Sequence, residues 1–158
     1  MLQGLIVAIT AVLVGLDQLT KWLVTVYLKD RPDITVIPGV LDFSYETNTG
    51  AAWSILSGER WFLVVLTGIM IVALLIFVLM GKLRRYKLFN ISATLIIAGG
   101  MGNLIDRLVQ GYVVDFIKTT FMSFPVFNVA DCFICCGCVA LMVSLIFFNK
   151  GFWKEEKK

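Results

Sequence analysis

Four long apolar segments constrain this chain more than any other feature of its sequence. They cover approximately Leu5–Leu28, Trp61–Met80, Leu88–Ile105 and Asn128–Phe148. Each is close to the roughly 20 residues that a helix needs to cross a bilayer. A soluble domain could not cover this much apolar surface, because 59% of the 158 residues are apolar and only 16% are charged. The sequence therefore predicts an all-α membrane protein, a single domain over residues 1–158 with four transmembrane helices.

Two basic blocks, Lys82–Lys87 and Lys150–Lys158, predict the orientation of these helices. Basic residues that flank apolar spans remain on the cytoplasmic side. Both termini are then cytoplasmic, and the segments of about 29–60 and 107–127 are extracytoplasmic. A nucleic-acid site would need interleaved base-stacking aromatic residues on a soluble face, whereas both blocks flank apolar spans, so no nucleic-acid partner is predicted.

The first extracytoplasmic segment has the pattern of a short β-hairpin. Apolar and polar residues alternate in residues 34–36 and 41–45, with Pro38 and Gly39 between them. We expect this hairpin to form a small β-cradle outside the membrane. Residues 51–56 then predict a short helix in the membrane interface, with Trp53 at the depth of the headgroups.

Charged and amide side chains inside apolar spans are costly and are by default functional. Asp17 and Lys21 are four residues apart, the spacing at which opposite charges meet on a helix. Asn103, Asp106 and Arg107 share one face of the third span. Each group also has a structural interpretation. The pair in the first span could be a neutralised ion pair, and the cluster in the third span could lock the end of its helix.

Three glycines in the third span predict close packing of its backbone against other helices. These are Gly99, Gly100 and Gly102.

Asp115 and Asp131 differ from the other aspartates because neither has an obvious local cation. Two carboxyl groups brought together in apolar surroundings cannot both ionise easily, so they share a proton. This is the arrangement of the aspartic proteases, in which one group activates water while the other polarises the scissile carbonyl. The structural alternative is that Asp131 caps the fourth helix, a role that Asn128 can also fill.

The chain contains no histidine, which excludes serine–histidine and cysteine–histidine catalysis and imidazole-dependent zinc sites. All four cysteines lie in the fourth apolar segment. Cys132 shares a helical face with Cys135 and Cys136, while Cys138 does not, and no second ligand group exists elsewhere. We interpret the thiols as small hydrophobic side chains, and no metal or other cofactor is predicted.

Five short motifs occur in an order that resembles the lipoprotein signal peptidases, the bacterial type II signal peptidases. These are Asp17-Gln-Leu-Thr-Lys21, Asn48-Thr-Gly-Ala-Ala-Trp53, Gly99-Gly-Met-Gly-Asn-Leu-Ile-Asp-Arg107, Val113-Val-Asp-Phe116 and Phe127-Asn-Val-Ala-Asp131. The resemblance implies an aspartyl endopeptidase of the bacterial cytoplasmic (inner) membrane with its active site at the extracytoplasmic face. Its substrates would be diacylglyceryl-modified prolipoproteins, cleaved just before the lipidated cysteine.

The same resemblance implies a role for each polar residue of the motifs. Asp115 and Asp131 correspond to the catalytic dyad. Polar contacts around the dyad would come from Asn48, Asn103, Arg107 and Asn128, and a supporting shell from Asp17, Lys21 and Asp106. The expected partners are the prolipoprotein substrates and membrane lipids, and the protein is expected to be a monomer.

Two other functions fit an apolar chain with buried carboxylates. A small four-helix proton- or cation-coupled membrane transporter would use Asp17, Asp106 and Asp131 as ion sites. A transporter places such groups near the middle of the bilayer, whereas Asp106, Asp115 and Asp131 map to the extracytoplasmic ends of spans. A non-catalytic membrane scaffold would leave the aspartates without local cations unexplained.

Overall fold

The computed structural model of the chain describes residues 2–80 and 86–148, and it contains four helices long and apolar enough to cross a membrane. These are α1 (Leu2–Leu28), α2 (Arg60–Leu79), α3 (Lys87–Val109) and α4 (Val129–Val143), and α4 continues into a π-helical turn over Ser144–Phe148. The four predicted spans are confirmed to within a few residues at each end. Of the two basic blocks, residues 82–85 and 150–158 lie outside the described residues.

Helix α3 is the centre of the bundle. In its most apolar 18-residue window 61% of the residues are buried, against 11%, 11% and 17% in α1, α2 and α4, and each of those helices packs against it. At one end of the bundle Ile6 of α1 and Val78 of α2 meet Phe89 and Ala93 of α3. The other three helices therefore leave most of their surface for lipid, while α3 makes protein contacts along its length.

Glycines in α3 allow its neighbours to approach closely. A methyl group on Gly99 would collide with the carbonyl oxygen of Ala130 in α4, and one on Gly102 would collide with the Asp17 carboxylate. At Gly100 the added carbon would lie 3.2 Å from Cγ1 of Ile71 in α2. The predicted close backbone packing is confirmed, and it involves three different partner helices.

A three-stranded antiparallel sheet lies at one end of the bundle, in the order β1-β2-β3. Strand β1 (Ile34–Ile37) pairs with β2 (Leu41–Asn48), which confirms the predicted hairpin, and β2 pairs with β3 (Val113–Thr119). The third strand was not expected from the sequence, because its first four residues do not alternate between apolar and polar side chains. In the structure all four are buried. Val114 and Phe116 pack against Val24 and Leu28, which attaches the sheet to α1.

The segment after the hairpin differs from the helix expected over residues 51–56. It contains a single 3-10 turn, Ala52–Ser54. Three of its residues, Trp53, Ser54 and Leu56, have φ angles of 54°, 55° and 60°, which a right-handed helix cannot accommodate. The amide of Ala51 donates to the carbonyl of Ile55 at 2.7 Å, so the segment closes into a compact loop. Trp53 is 66% exposed on this loop, as an interfacial position would require.

We expect Gly99→Ala to lower the melting temperature in detergent, because the added methyl group must push α4 away from α3. Overpacking of this kind typically costs about 1–3 kcal/mol. Gly68→Ala in α2 is the matched control, since nothing lies within 4 Å of the carbon it would add. The control should melt at the wild-type temperature or slightly above it, because alanine favours helix. Equal melting temperatures for the two variants would contradict the packing described above.

Candidate active site

Two carboxyl groups from different elements line one cavity of about 620 Å³. Asp115 lies in β3 and is 3% exposed, while Asp131 lies in the first turn of α4 and is half-buried. Strand β3 is held on one side by β2 and on the other by a bridge between Ile117 and Phe127. That bridge places the start of α4 beside the middle of β3. The two aspartates without local cations are therefore brought together, as expected.

Asn128 connects the two aspartates. Its Nδ2 donates to Oδ1 of Asp115 at 2.6 Å, and its Oδ1 accepts from the amide of Asp131 at 3.0 Å. The amide of Asn128 in turn donates to Oδ2 of Asp131 at 3.1 Å, which completes a capping box at the start of α4. Asn128 is the N-cap residue, and Asp131 contributes one oxygen to the cap and retains the other for a different partner.

Each remaining carboxylate oxygen accepts one amide proton from another element. Asn103 of α3 donates from Nδ2 to Oδ1 of Asp131 at 2.8 Å. Asn48 at the end of β2 donates from Nδ2 to Oδ2 of Asp115 at 3.0 Å. Oδ1 of Asn48 accepts from the amide of Gly50 at 2.9 Å, and this contact orients the side chain. The two carboxyl groups are thus held in place by three asparagines.

Behind the asparagines lies a buried ammonium group. Nζ of Lys21 lies 2.9 Å from Oδ2 of Asp17 and 3.0 Å from Oδ2 of Asp106, and it donates to Oδ1 of Asn103 at 2.8 Å. The predicted pair within α1 is confirmed, and α3 supplies a second carboxylate. Three acceptors match the three protons of the ammonium group. Because Asn103 accepts from Lys21 and donates to Asp131, it links the ammonium group to the cavity.

The two carboxylates around Lys21 also bind backbone amides. Asp17 accepts from the amide of Ala130 at 2.9 Å, and Asp106 accepts from the amide of Val114 at 3.2 Å. Gln18 supports both acids, donating to Oδ1 of Asp106 at 2.9 Å and to Oδ2 of Asp17 at 3.3 Å. Gln18 is a functional residue that was not predicted from the sequence, although a glutamine inside an apolar span already indicates a buried partner.

Arg107 lines the same cavity from the end of α3 and is 8% exposed. Its Nη2 donates to the carbonyl of Gly50 at 2.6 Å, and its Nη1 donates to the carbonyl of Asn103 at 3.4 Å. The polar side chains predicted to share one face of α3 therefore have different partners. Asp106 turns towards Lys21, whereas Arg107 turns towards the loop that follows β2.

Burial, and after it the negative charge of Asp131, raise the pKa of Asp115 to about 6. The hydrogen bonds from Asn48 and Asn128 oppose the shift, as does the more distant charge of Lys21. A carboxyl group with a pKa near 6 is half protonated at pH 6, and about a tenth of the molecules still carry the proton at pH 7. Asp115 is therefore able to act as a proton donor.

The rest of the cavity wall is mainly apolar. Thr67 of α2, Gly100 of α3 and Ile134 of α4 line it, so the cavity continues from the sheet into the spanning part of the bundle. Three thiols, Cys132, Cys135 and Cys136, lie along the same wall, and Cys138 is not part of it. Within residues 2–80 and 86–148 no three side chains of the metal-binding types come together.

Aromatic rings border the outer part of the cavity. The ring centroid of Trp53 lies 5.9 Å from that of Phe124, and the centroid of Phe124 lies 5.8 Å from that of Phe127. Both pairs meet edge to face, a favourable arrangement for aromatic rings. The loop after β2 and the segment before α4 are thereby joined beside the aspartates.

Four spans and a carboxylate pair at a cavity that reaches into the bundle define a membrane-embedded enzyme. Known proteins agree with this class. Two structures of a bacterial membrane enzyme solved by the in meso method, at 2.3 and 1.9 Å resolution, superpose with TM-scores of 0.84 and 0.82. The first is 32% identical to this chain, and the match covers 94% of this chain and 91% of that structure. The second is 34% identical, and the match covers 92% of this chain and 94% of that structure.

A sequence profile described as signal peptidase (SPase) II matches residues 9–147. The lipoprotein signal peptidase of Listeria monocytogenes serotype 4a is 40% identical over 137 residues, which are 85% of this chain and 88% of the relative. The lipoprotein signal peptidase of Enterococcus faecalis is 38% identical over 90% of this chain and 88% of the relative. That of Streptococcus agalactiae serotype Ia is 40% identical over 94% of this chain and 91% of the relative. The chain belongs to the signal peptidase II family and is a bacterial multi-pass membrane peptidase.

Substitutions at Lys21 and Asp17 should differ in their effect on stability. Lys21→Met leaves Asp17 and Asp106 buried without their cation, and breaking a buried pair in this way costs about 3–5 kcal/mol. Asp17→Asn should cost less, because Lys21 retains Asp106 and Asn103. The yield of folded protein and its melting temperature in detergent measure the difference.

The double variant, Asp17→Asn with Lys21→Met, separates the ion pair from simple packing. Its loss of unfolding free energy should be smaller than the sum of the losses in the two single variants, because it leaves one buried carboxylate fewer without a cation than Lys21→Met does. Strict additivity, or a smaller loss for Lys21→Met than for Asp17→Asn, would contradict the described network.

Proposed function

We propose that this protein is an aspartyl endopeptidase that removes signal peptides from diacylglyceryl-modified prolipoproteins, cleaving before the lipidated cysteine. The observation that carries the proposal is the pairing of Asp115 and Asp131 through Asn128 at one cavity. The names of the relatives, lipoprotein signal peptidases, support the class of substrate. Prolipoproteins are then the partners, and Asp115 and Asp131 are the catalytic residues.

The surroundings of the two acids support different roles for them. Both acids accept N–H groups at both oxygens, but only Asp131 lies at the positive end of α4 and accepts from Asn103, which is bound to the Lys21 ammonium. These contacts favour Asp131 as the ionised base. Asp115, with its raised pKa, is the group that holds the proton.

In the proposed reaction Asp131 takes a proton from a water molecule as its oxygen attacks the scissile carbonyl carbon. The proton on Asp115 hydrogen-bonds to the carbonyl oxygen and moves onto it as the tetrahedral intermediate forms. Collapse of the intermediate breaks the C–N bond. The leaving nitrogen takes the proton that Asp131 had received, and the hydroxyl proton of the intermediate returns to Asp115, so both acids regain their starting states.

The other polar residues fall into two groups by their distance from the cavity. The residues that contact the two acids or the loop beside them are proposed to orient the acids and the substrate backbone; these are Asn48, Asn103, Asn128 and Arg107. The positioning residues are Lys21, Asp17 and Asp106, and they act on the acids through Asn103.

The apolar part of the cavity supports a lipidated substrate. The wall formed by Thr67, Gly100 and Ile134 lies among the spanning helices, where the acyl chains of a membrane-bound substrate would arrive sideways from the bilayer. A transporter, in contrast, is not supported by the family to which the chain belongs. We propose one peptidase domain over residues 1–158, acting as a monomer.

We also propose that both termini are cytoplasmic, that residues of about 29–60 and 107–127 are extracytoplasmic, and that cleavage occurs at the extracytoplasmic face. The basic blocks that precede α3 and follow α4 support this orientation.

The orientation is tested in a variant whose native cysteines are replaced. In this variant Lys87→Cys should resist a membrane-impermeant maleimide in intact cells. Lys29→Cys, at the opposite end of the bundle, should be labelled. The reverse pattern would overturn the orientation.

The dyad is tested by Asp115→Asn and Asp131→Asn, each of which removes a proton-transfer group and keeps its shape. We expect either change to lower cleavage of a lipidated prolipoprotein by at least ~100-fold, since loss of an acid–base group typically costs ~10²–10⁴-fold. Circular dichroism melting of the purified variants should show that both remain folded.

Asp33→Asn is the matched control for these two substitutions. Asp33 precedes β1 and pairs with Lys118 of β3 at 2.8 Å, and both side chains are exposed, so the same chemical change there should leave cleavage unchanged. An Asp115→Asn or Asp131→Asn variant that retains more than about a hundredth of the wild-type rate would refute the aspartyl mechanism.

The pKa of Asp115 predicts how the rate depends on pH. Because this pKa is raised to about 6, Asp115 is protonated below that pH and loses its proton above it. As the proton donor it should therefore make kcat/KM decline as the pH rises beyond about 6, and the observed value belongs to the coupled pair. Rates between pH 5 and 8, with a melting temperature at each pH, measure this limb. A flat profile across that range would show that Asp115 does not act as the proton donor.

A further inference from the structure

A second cavity, of about 330 Å³, lies between the first halves of α1 and α3, away from the two aspartates. Ile9 and Leu13 line it from α1, and Asn90, Ile91 and Thr94 line it from α3. Its rim is open, because Ile9 is 43% exposed and Ile91 is 56% exposed. In a bundle that spans a membrane, this is a groove on the lipid-facing side.

The surface of the groove suits an aliphatic chain. The hydroxyl of Thr94 donates to the carbonyl of Asn90 at 2.7 Å, and Nδ2 of Asn90 donates to the carbonyl of Tyr86 at 3.0 Å. These donors are used within α3 and are not directed at a ligand. Isoleucine and leucine side chains provide most of the remaining wall.

One end of the groove carries positive charge. Lys87, the first residue of α3, lines this end and is exposed. No side chain caps the start of α3, and its first turn, which the structure describes completely, contains no acidic residue. The positive end of the helix dipole adds to the charge of the lysine. In the sequence, Lys82, Arg84 and Arg85 immediately precede this point.

We propose that this groove binds an anionic phospholipid, with the phosphate at Lys87 and one acyl chain along α1 and α3. Basic pockets between spanning helices on the cytoplasmic side are typical sites for anionic headgroups, and the proposed orientation places Lys87 on that side. The bound lipid fastens the first halves of α1 and α3 together. This proposal does not depend on how the aspartates act.

Native mass spectrometry of the detergent-purified protein tests the site, after incubation with equimolar phosphatidylglycerol and phosphatidylcholine that have the same acyl chains. The wild type should retain phosphatidylglycerol about fivefold more than phosphatidylcholine, as expected for one basic residue near an anionic group. Lys87→Gln should retain the two lipids equally. Ile9→Trp, which fills the groove from its rim, should retain neither.

Lys29→Gln is the matched control, because Lys29 is an exposed lysine at the opposite end of α1. It should retain phosphatidylglycerol as the wild type does, and all variants should melt within a few degrees of one another. Equal retention of the two lipids by the wild type would overturn the proposal, and so would failure of the wild type to retain lipid. A preference that persists in Lys87→Gln, a lipid that remains on Ile9→Trp, or a preference lost in Lys29→Gln would do the same.

Discussion

The buried ammonium group of Lys21 is the interaction on which the rest of this structure depends. Removing a lysine from water inside a membrane is costly unless its charge is compensated. Compensation here requires Asp17 from its own helix and both Asp106 and Asn103 from α3. Those residues in turn bind α4, β3 and the candidate dyad. A single desolvated charge therefore determines how three helices and the sheet are placed relative to one another.

The asymmetry between the two aspartates follows from this arrangement. Asp131 lies at the start of a helix and is joined to Lys21 through one amide, so its environment is positive. Asp115 lies on a strand, is more deeply buried, and experiences the charge of Asp131. Burial and the neighbouring charge raise the pKa of Asp115, whereas Asp131 borders the start of a helix. This difference is what the proposed division between base and proton donor requires.

Local pattern was sufficient to predict the four spans, the hairpin, and the approach of Lys21 to Asp17, because each depends on spacing along a helix or strand. Polar groups in or beside apolar spans were sufficient to identify most of the other candidate residues, which are Asn103, Asp106, Arg107, Asp115, Asn128 and Asp131. The resemblance to a family added Asn48, and all of these residues meet in the structure. Strand β3 was missed because its burial comes from α1 and from β2, which are far away in the sequence. The loop at Trp53 was misassigned because three residues adopt positive φ angles that local composition did not indicate.

The central position of α3 has a consequence for how this protein is made. This helix carries Asn103, Asp106 and Arg107, and its partners arrive at different times, with α1 and α2 synthesised before it and α4 after it. As α3 leaves the translocon, α1 can already supply Lys21 to Asp106, whereas the surface around Gly99 awaits α4. The ribosome must therefore complete the last helix before the third is enclosed, and chains that terminate early would present polar groups to lipid and to membrane proteases.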